Sequence, residues 1–462
     1  MSHGHEPDVA QYFGKLAAHT SVRDLDDAAV TAAKMSVLDT IGVALAATSA
    51  EPAVATVIDL VLADGGRPEA AVWGSGRRVP AAGAAFANGA MAHGLDFDDQ
   101  TPWGQHASSS VVPAVLAVAD RRGAVNGAEL VTAVAVGQDI FARLRCHVGW
   151  RKDWNTSSVL GVYAGAAAAA RILGLSPERC EHALSIASQQ SSGVMEVVAG
   201  TGSNLRSTYA GFSARGAVTA ALLAERGLTG VAEVFEGPVG VFTCYFGGRY
   251  DREAMLADLG KDFRGGGTLY KVWPAVGTSH GHIHAVVELM REHGLTVEDI
   301  SELRLAVGDY HRVMCTPLAE RRAPETLVDA KFSLPFLVAL AAVHGTVEVA
   351  HFTKTGLHDP RVRAVAQKVV PVDDALLDWH LELPPGRVEV TTTDGRVLSR
   401  VGSAFPGSQE RPVTWPELAE KFRRCAAFAS RPPAEADIEQ AIDVAQDLDT
   451  APDVTVLSRL LG

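Results

Sequence analysis

The sequence has few of the features that mark secreted, membrane-bound or nucleic-acid-binding proteins. Its 5 cysteines in 462 residues lie far apart and form no Cys-x-x-Cys pair, so neither a disulfide framework nor a zinc knuckle is predicted. Only 41 Lys and Arg stand against 54 acidic residues, a formal net charge of −13, whereas nucleic acid binding needs a basic surface. The N-terminal residues have neither a basic start nor an apolar core, so no signal peptide is predicted and a cytoplasmic location is expected.

Long apolar runs and phosphate-binding loops are also missing. The longest stretch of small apolar residues, residues 161–170, stops at Arg171, well short of the roughly 18 residues of a membrane span. It predicts a buried helix and no membrane partner. The three glycines of residues 265–267 are followed by no helical pattern, so no phosphate loop is predicted.

The sequence predicts a long succession of helices with one interruption. From residue 8 to about 259, helical patterns alternate with Gly, Asn, Ser and Pro signals, and the composition changes near residue 265. A chain of this length exceeds one ordinary core. A strand is predicted over residues 303–307, and the runs 387–392 and 397–401 predict a hairpin because Asp-Gly stands between them.

This order predicts the fold class. Thr414 and Glu417 have the spacing of a capping box, so the chain returns to helix there. We expect a mainly α protein, with a large all-helical domain built from both chain ends, residues 1–265 and 406–462. A smaller α+β lid domain, residues 266–405, is inserted between them.

Titratable residues are crowded into one stretch of 14 residues, which holds His93, Asp96, Asp98, Asp99 and His106. The preceding segment predicts a helix. If that helix runs to residue 100, the three-and-four spacing aligns His93 with Asp96 on one face, and Asp98 points elsewhere. His106 then lies on a loop after the helix, a usual place for catalytic groups.

Three interpretations of this stretch remain open. Carboxylates beside histidines could bind a divalent metal, but neither the oxygen set of hard cations nor the close His or Cys spacing of zinc is complete. The stretch could also be a solvated helix end with a capping carboxylate. The third is acid–base chemistry, in which Asp96 orients an imidazole and His106 moves a proton.

Residues 93–99 with His106, and the later Lys331-Phe-Ser-Leu-Pro-Phe336, resemble the MmgE/PrpD family, which includes 2-methylcitrate dehydratase, cis-aconitate decarboxylase and iminodisuccinate epimerase. Lys271-Val-Trp-Pro274 ahead of His280 matches as well, and the matches keep family order from about residue 18 to 412. The resemblance implies a helical domain with a lid, an active site in the cleft and a homodimer. It implies no cofactor and no metal. We expect the dimer interface on the helical domain, at the small-residue helices 161–174 and 211–224.

The resemblance also implies roles for a second group of residues. The family keeps a site histidine after a Pro-containing turn, where this chain has His280. His282 and His284 alternate with it, but a helix start spreads the three around its axis, so we expect these two at the surface or behind the site. Lys271 would give the pocket positive charge, or it is an ordinary surface lysine.

Several matched positions depart from the family pattern. Arg206 and Tyr209 stand where a lysine and a histidine are usual, and Trp154-Asn155-Thr156 stands for His-Pro-Thr. Phe336 replaces a common tyrosine, and Gln100 a small hydroxyl residue. Because these changes remove imidazoles and a phenol and add aromatic bulk, we expect a substrate with fewer charges and a larger apolar or ring portion than 2-methylcitrate.

The family chemistry removes a proton or carbon dioxide beside a carboxylate, which needs a base, a cation and an acid. We therefore predict a cofactor-independent lyase acting on a small carboxylate, most often a dehydratase in this family. An epimerase with two bases, a decarboxylase and a non-catalytic binding protein remain as alternatives. The predicted catalytic residues are His106 as base, Asp96 as its orienter and His280 as opposing acid; the predicted substrate-binding residues are Arg206, Lys271, Gln100, Trp154, Tyr209, Phe336, His93 and Asp99.

Overall fold

The computed structural model describes residues 6–461, within which 22 α-helices and six strands are found. The N-terminal residues 1–5, on which the expectation about a signal peptide partly rests, lie outside this range. The helices of the first part are α1 Val9–His19, α2 Asp27–Ala50, α3 Pro52–Asp64, α4 Ala81–His93, α5 Ser108–Arg122, α6 Gly127–Cys146, α7 Thr156–Ile172, α8 Pro177–Ala187, α9 Glu196–Ala199, α10 Tyr209–Glu225, α11 Val241–Phe246 and α12 Arg252–Leu256.

The middle and final parts of the chain contain the other ten helices. They are α13 His280–Glu292, α14 Asp309–Val313, α15 Leu318–Arg322, α16 Leu327–Lys331, α17 Leu334–His344, α18 Lys354–Leu357, α19 Pro360–Gln367, α20 Trp415–Ala427, α21 Glu435–Gln446 and α22 Thr455–Leu461. The strands are β1 Ala70–Val72, β2 Arg77–Val79, β3 Ile300–Val307, β4 Val369–Asp373, β5 Gly386–Thr392 and β6 Val397–Gly402. The prediction of a mainly α protein with a small sheet is confirmed.

Side-chain caps mark several helix starts. The side chain of Asn126 accepts from the backbone N–H of Glu129 in a capping box, and Ser176 caps α8. Thr414 and Glu417 form the predicted box at the start of α20. Helix α5 begins differently: Ser108 is already helical, no side chain caps the helix, and Pro113 lies inside it.

The sheet of the lid has the strand order β4-β3-β5-β6. Strand β3 pairs parallel with β4 and antiparallel with β5, and β5 pairs antiparallel with β6. The β5–β6 hairpin is the predicted one, and Gly395 takes φ +88 in its turn, a conformation that glycine adopts at little cost. The second small sheet, β1 with β2, was not predicted.

Two hydrophobic cores organise the chain. One contains side chains from α1 to α8, α10 to α12 and α20 to α22, and the other contains Val198 of α9 together with side chains between residues 273 and 405. Helix α20 packs against α2, so both chain ends contribute to the first core. The boundaries at 265 and 405 remain predictions.

Helix α2 is the longest apolar helix of the described part. By length and composition alone it could span a membrane, with a mean hydropathy of 1.4, but 78% of that window is buried inside the protein. This burial is typical of a core helix. The sequence analysis named residues 161–170 as the longest apolar stretch and did not identify α2. Hydroxyl and acidic residues interrupt the apolar residues of that helix.

Candidate active site

A cleft of about 430 Å³ lies at the junction of the two cores. Its walls come from the loops after α4 and α6, from the starts of α7 and α10, and from lid residues before α13 and near β4. The lining residues are Asp96, Gly104, Gln105, His106, Trp150, Asn155, Thr156, Ser157, Met195, Val198, Arg206, Tyr209, Val276, Gly277, Thr278, Tyr310 and Trp379.

Helix α4 ends at His93, and the acidic stretch after it is a loop. Asp96 takes φ +50, which few non-glycine residues adopt. The helix therefore does not run to residue 100, the condition on which the helical spacing depended. The consequence is that Asp96 and Asp98 do not have the helical positions that the spacing assigned them.

Three buried lysines hold the carbonyl groups of this loop. Lys331 donates to the carbonyl of Gly94 (2.7 Å), Lys271 to that of Asp96 (2.8 Å), and Lys421 to that of Phe97 (2.7 Å). Each lysine also pairs with a buried carboxylate: Glu51, Asp96 and Asp39, respectively. Buried charges of this kind are tolerated because they are paired and hydrogen-bonded.

Asp98 lies between two imidazoles. Its carboxylate is 3.1 Å from Nδ1 of His93 and 3.0 Å from Nδ1 of His106, and all three residues are buried. Nδ1 of His106 is also 2.8 Å from the carbonyl oxygen of Asp99. Asp98, not Asp96, is therefore the carboxylate that orients His106, which corrects the sequence prediction.

Asp96 forms the ionic part of the site. Its carboxylate is 2.5 Å from Nζ of Lys271, 3.3 Å from Nη2 of Arg206 and 3.9 Å from Nε2 of His106. Burial acts to raise the pKa of Asp96, but Lys271 and Arg206 outweigh it and hold the pKa far below its ordinary value. Asp96 is thus ionised and faces the nitrogen of His106 that points toward the cleft.

Burial is the largest single influence on the pKa of four further groups at the site. Burial raises the pKa of Asp98 but the two imidazoles override it, so this pKa lies well below its ordinary value. Burial lowers the pKa of His93, partly offset by Asp98, so His93 is neutral. Burial also raises the pKa of both Tyr209 and Tyr310, which keeps these phenols protonated.

His93, Asp98 and His106 are close enough together to be considered as metal ligands. Nδ1 of His106 lies 2.8 Å from a carbonyl oxygen, so this nitrogen is a hydrogen-bond donor and cannot also coordinate a metal, whereas Nε2 keeps its lone pair. Within the group, Asp98 accepts a hydrogen bond from Nδ1 of His93 and is the ionic neighbour of His106, whose Nδ1–H donates to the carbonyl of Asp99.

Arg206 is the cationic side chain that the cleft leaves incompletely paired. Its guanidinium lies 3.1 Å from the centre of the Phe332 ring, and Nη2 contacts Asp96. Its Nε and Nη1 atoms are buried and have no hydrogen-bond partner among residues 6–461. Buried donors of this kind are costly unless a partner is supplied.

Two of the predicted site residues lie next to the cleft without lining it. His280 is buried between the rings of Trp273 and Phe405, with Nε2 3.3 Å from the carbonyl oxygen of Ala275. Burial, followed by Lys271, lowers its pKa to about 3. The ammonium of Lys271 is buried and donates to both the carbonyl and the carboxylate of Asp96, so it is not a surface lysine.

Four other predicted site residues make packing or hydrogen-bonding contacts and do not line the cleft. Gln100 pairs through its backbone with Leu269, and Phe336 is fully buried in the lid core. Trp154 packs on Tyr245, while the following Asn155, Thr156 and Ser157 line the cleft. The carboxyl of Asp99 contacts Ser36, away from the cleft.

His282 was expected at the surface or behind the site, and it is fully buried, with Nε2 bonded to the carbonyl of Ala306. Of the predicted residues, the cleft brings together His106, Asp96, Arg206 and Tyr209, whose ring lies 4.3 Å from that of His93. Their functional roles stay predictions.

Sequence reasoning missed several residues of the site. Asp98 was assigned away from the site, although it is in the crowded stretch. Tyr310, Trp150 and Trp379 line the cleft, and their rings contact one another. No local pattern marks these aromatic residues, which come from three distant segments.

The fold and the site together define a mainly helical protein with an inserted α+β lid and an imidazole–carboxylate cleft between them. Models of the MmgE/PrpD N-terminal domain and the MmgE/PrpD C-terminal domain match residues 11–253 and 273–448. The chain therefore belongs to the MmgE/PrpD family, as the resemblance predicted.

Relatives in this family are enzymes of the lyase type. The chain is 26% identical to cis-aconitate decarboxylase of Homo sapiens, over 98% of this chain and 94% of the relative. It is 24% identical to the mitochondrial 2-methylcitrate dehydratase of Yarrowia lipolytica, over 90% and 82%. It is 25% identical to 2-methylcitrate dehydratase of Escherichia coli, over 74% of each chain.

Proposed function

We propose that this protein is a cofactor-independent lyase that transfers a proton beside the carboxylate of a small organic acid, with dehydration as its reaction. The observation that carries the proposal is the setting of His106. Its Nδ1 is anchored by Asp98 and the carbonyl of Asp99, while its ring lines the cleft.

This anchoring supports a role as general base. An N–H at Nδ1 leaves the lone pair on Nε2, the nitrogen on the cleft side of the ring. Proton uptake at Nε2 creates an imidazolium whose two N–H groups face Asp98 at 3.0 Å and Asp96 at 3.9 Å. Both carboxylates are ionised and stabilise that cation.

Dehydration also needs an acid for the departing hydroxyl. The cleft offers the phenols of Tyr209 and Tyr310, and burial keeps both protonated by raising their pKa. These phenols replace His280 as candidates for the acid, because that ring does not line the cleft.

The lining supports a substrate with one firmly bound carboxylate. Arg206 supplies two N–H donors without a partner, whereas the apolar part of the wall consists of Trp150, Trp379, Met195 and Val198. An apolar or ring portion fits that wall, and a second or third carboxylate would lie there without a partner.

Decarboxylation is the second candidate. A carboxylate held against an apolar wall loses its hydration, which favours its departure as carbon dioxide. His106 would then return a proton to the carbon. The similarity to cis-aconitate decarboxylases along most of the chain adds support.

Epimerisation has less support than it had from the sequence. It needs bases on both faces of the substrate, and His106 is the only imidazole among the lining residues from the described part of the chain.

The test uses three acids as probes: 2-methylcitrate, cis-aconitate and phenylsuccinate. In deuterated water, the wild type should place deuterium beside a carboxylate of at least one of them. Dehydration yields an unsaturated acid, and decarboxylation yields carbon dioxide.

The variant His106→Gln should lower exchange roughly a hundredfold or more while binding stays measurable. His282→Gln, which alters a buried histidine outside the cleft, is the matched control. Full activity of His106→Gln would contradict the assignment. A comparable loss in His280→Gln would return that residue to the role of acid.

A further inference from the structure

The ammonium of Lys421 connects the last part of the chain to the site. Lys421 lies on α20 and is only 5% exposed. It donates to the carbonyl of Phe97 at 2.7 Å and to that of Lys271 at 2.9 Å, and it forms an ion pair with Asp39 at 2.7 Å. The ammonium thus has two hydrogen-bond acceptors and a close carboxylate of opposite charge, as a buried lysine requires.

The two carbonyls belong to the two segments that build the charged part of the site. Phe97 lies between Asp96 and Asp98, 324 residues before Lys421, and Lys271 lies 150 residues before it. The lysine nitrogen is also 3.8 Å from the centre of the Phe97 ring. We call residues 94–99, which follow α4, the aspartate loop. The side chain of Lys421 therefore fixes the distance between this loop and the segment of Lys271, whose ammonium neutralises Asp96.

The charge of Lys421 has a second effect on the site. Asp39, its partner, is fully buried and acts electrostatically on Asp98 and Asp99. Burial raises the pKa of Asp39, and Lys421 opposes that rise. Without the lysine, the carboxylate of Asp39 would have no partner and would lie close to Asp98, which contacts the imidazoles of His93 and His106.

We infer that Lys421 is a positioning residue for proton transfer by His106, acting through the carbonyls of Phe97 and Lys271 without touching the substrate. The inference rests on the proposed function. Displacing the aspartate loop by a fraction of an ångström would move Asp98 from Nδ1 of His106. Arg206 contacts Asp96 of this loop through Nη2, but it lies on a different segment, and its Nε and Nη1 atoms make no hydrogen bond to the loop. The chemical step would suffer, and the binding of a carboxylate by Nε and Nη1 would not.

The experiment separates positioning from stability. Lys421→Met alone leaves Asp39 buried without its partner, which destabilises the protein. The double variant Lys421→Met with Asp39→Asn removes both charges, so we expect its Tm to recover most of the loss. Its kcat should remain roughly a hundredfold below wild type, as misplaced catalytic groups cause, with KM unchanged.

The pH profile gives a readout that stability does not move. The acid limb of kcat/KM reports the protonation of His106 in the free enzyme. Since Asp98 stabilises the imidazolium, its displacement should shift that limb to lower pH in the double variant. Lys421→Arg keeps the charge but spreads its donors over a plane, and should show the same shift with a folded protein.

The matched control is the buried pair of Arg143 and Asp139, which holds loop carbonyls at residues 255–262 away from the cleft. Arg143→Met with Asp139→Asn should lower Tm and leave the acid limb in place. If the double variant and Lys421→Arg both have the kcat and the acid limb of the wild type, the inference is overturned while the proposed function stands. A wild type that exchanges no proton with any probe acid would contradict the proposed function and the inference together.

Discussion

At the scale of single residues, Arg206 offers the sharpest test of substrate binding. Replacing it by Lys keeps a charge but removes the donors at Nε and Nη1 that have no partner within the described chain. A carboxylate clamp acts equally in the ground and transition states. We therefore expect KM to rise roughly tenfold or more, the effect of one lost charged hydrogen bond worth about 1.5 kcal/mol, with little change in kcat.

Steady-state kinetics of Arg206→Lys check this expectation. A large fall in kcat at unchanged KM would mean that the guanidinium acts on charge that develops in the transition state.

Asp99 predicts how the stability of the protein depends on pH. Burial, followed by the neighbouring Asp39, raises its pKa from the ordinary 3.8 to about 7. The protonated form is favoured in the folded state, so its contribution to stability is full below about pH 4 and is lost as the pH rises through 7. The Tm difference between Asp99→Asn and wild type should therefore move in favour of the variant between pH 5 and pH 8, measured by calorimetry. A difference that stays constant with pH would contradict the raised pKa.

At the scale of elements, the sequence predicted which segments are helices better than where they end. Caps are local, so the starts of α6, α8 and α20 could be identified from neighbouring residues. The end of α4 could not, because the loop after it is held by lysines that follow it by 175 to 324 residues.

The error at the end of α4 carried over to the site. Helical spacing assigned the orienting role to Asp96 and turned Asp98 away, whereas the loop places Asp98 against both imidazoles. The resemblance identified His106 and Arg206, since residue types at matched positions survive a change of local conformation. It gave no indication of which residues actually reach the cleft: His280, at a matched position, and Phe336, at a position that departs from the family pattern, do not line it.

Two glycines in α4 should respond to the same substitution with opposite signs. A Cβ at Gly89 would lie 2.9 Å from the backbone of Gly211 in α10, whereas a Cβ at Gly83 would make ordinary contacts of 3.4 Å and more. Gly89→Ala should lower the free energy of unfolding by about 1–3 kcal/mol, the usual cost of overpacking. Gly83→Ala should raise it by about 0.5–1 kcal/mol, because alanine favours helix.

Denaturant unfolding of the two variants measures both effects. Because α4 ends at His93 and α10 begins at Tyr209, Gly89→Ala should also lower kcat. Equal stability of the two variants would show that the helices separate without cost.

At the scale of the whole molecule, we propose that the chain forms a homodimer through its helical part. Of the two helices expected at the interface, α7 is buried almost throughout and packs within the chain, whereas α10 carries the exposed Phe212 and Leu223. Exposed apolar side chains are frequent between residues 194 and 239. They are Val194, Leu205, Phe212, Leu223, Leu228, Val231 and Val239.

Contiguous exposed apolar surface is typical of an interface. Val231 and Val239 also line a broad surface groove of about 1200 Å³, and their exposed fractions are 68% and 85%. A second copy of the chain would cover this region in a two-fold arrangement, the commonest form of oligomer.

Sedimentation at micromolar concentration should give about twice the chain mass of 48.6 kDa. The double variant Val231→Asp with Val239→Asp should sediment as a monomer, because unpaired carboxylates in an apolar interface are costly. Leu376→Asp is the control, since Leu376 is 87% exposed but lies in the lid, and it should leave the dimer intact. A wild type that is monomeric at this concentration, or a double variant that remains dimeric, would exclude this surface as the interface. Because the cleft is lined by residues of one chain, the monomeric variant should still exchange substrate protons, which separates assembly from catalysis.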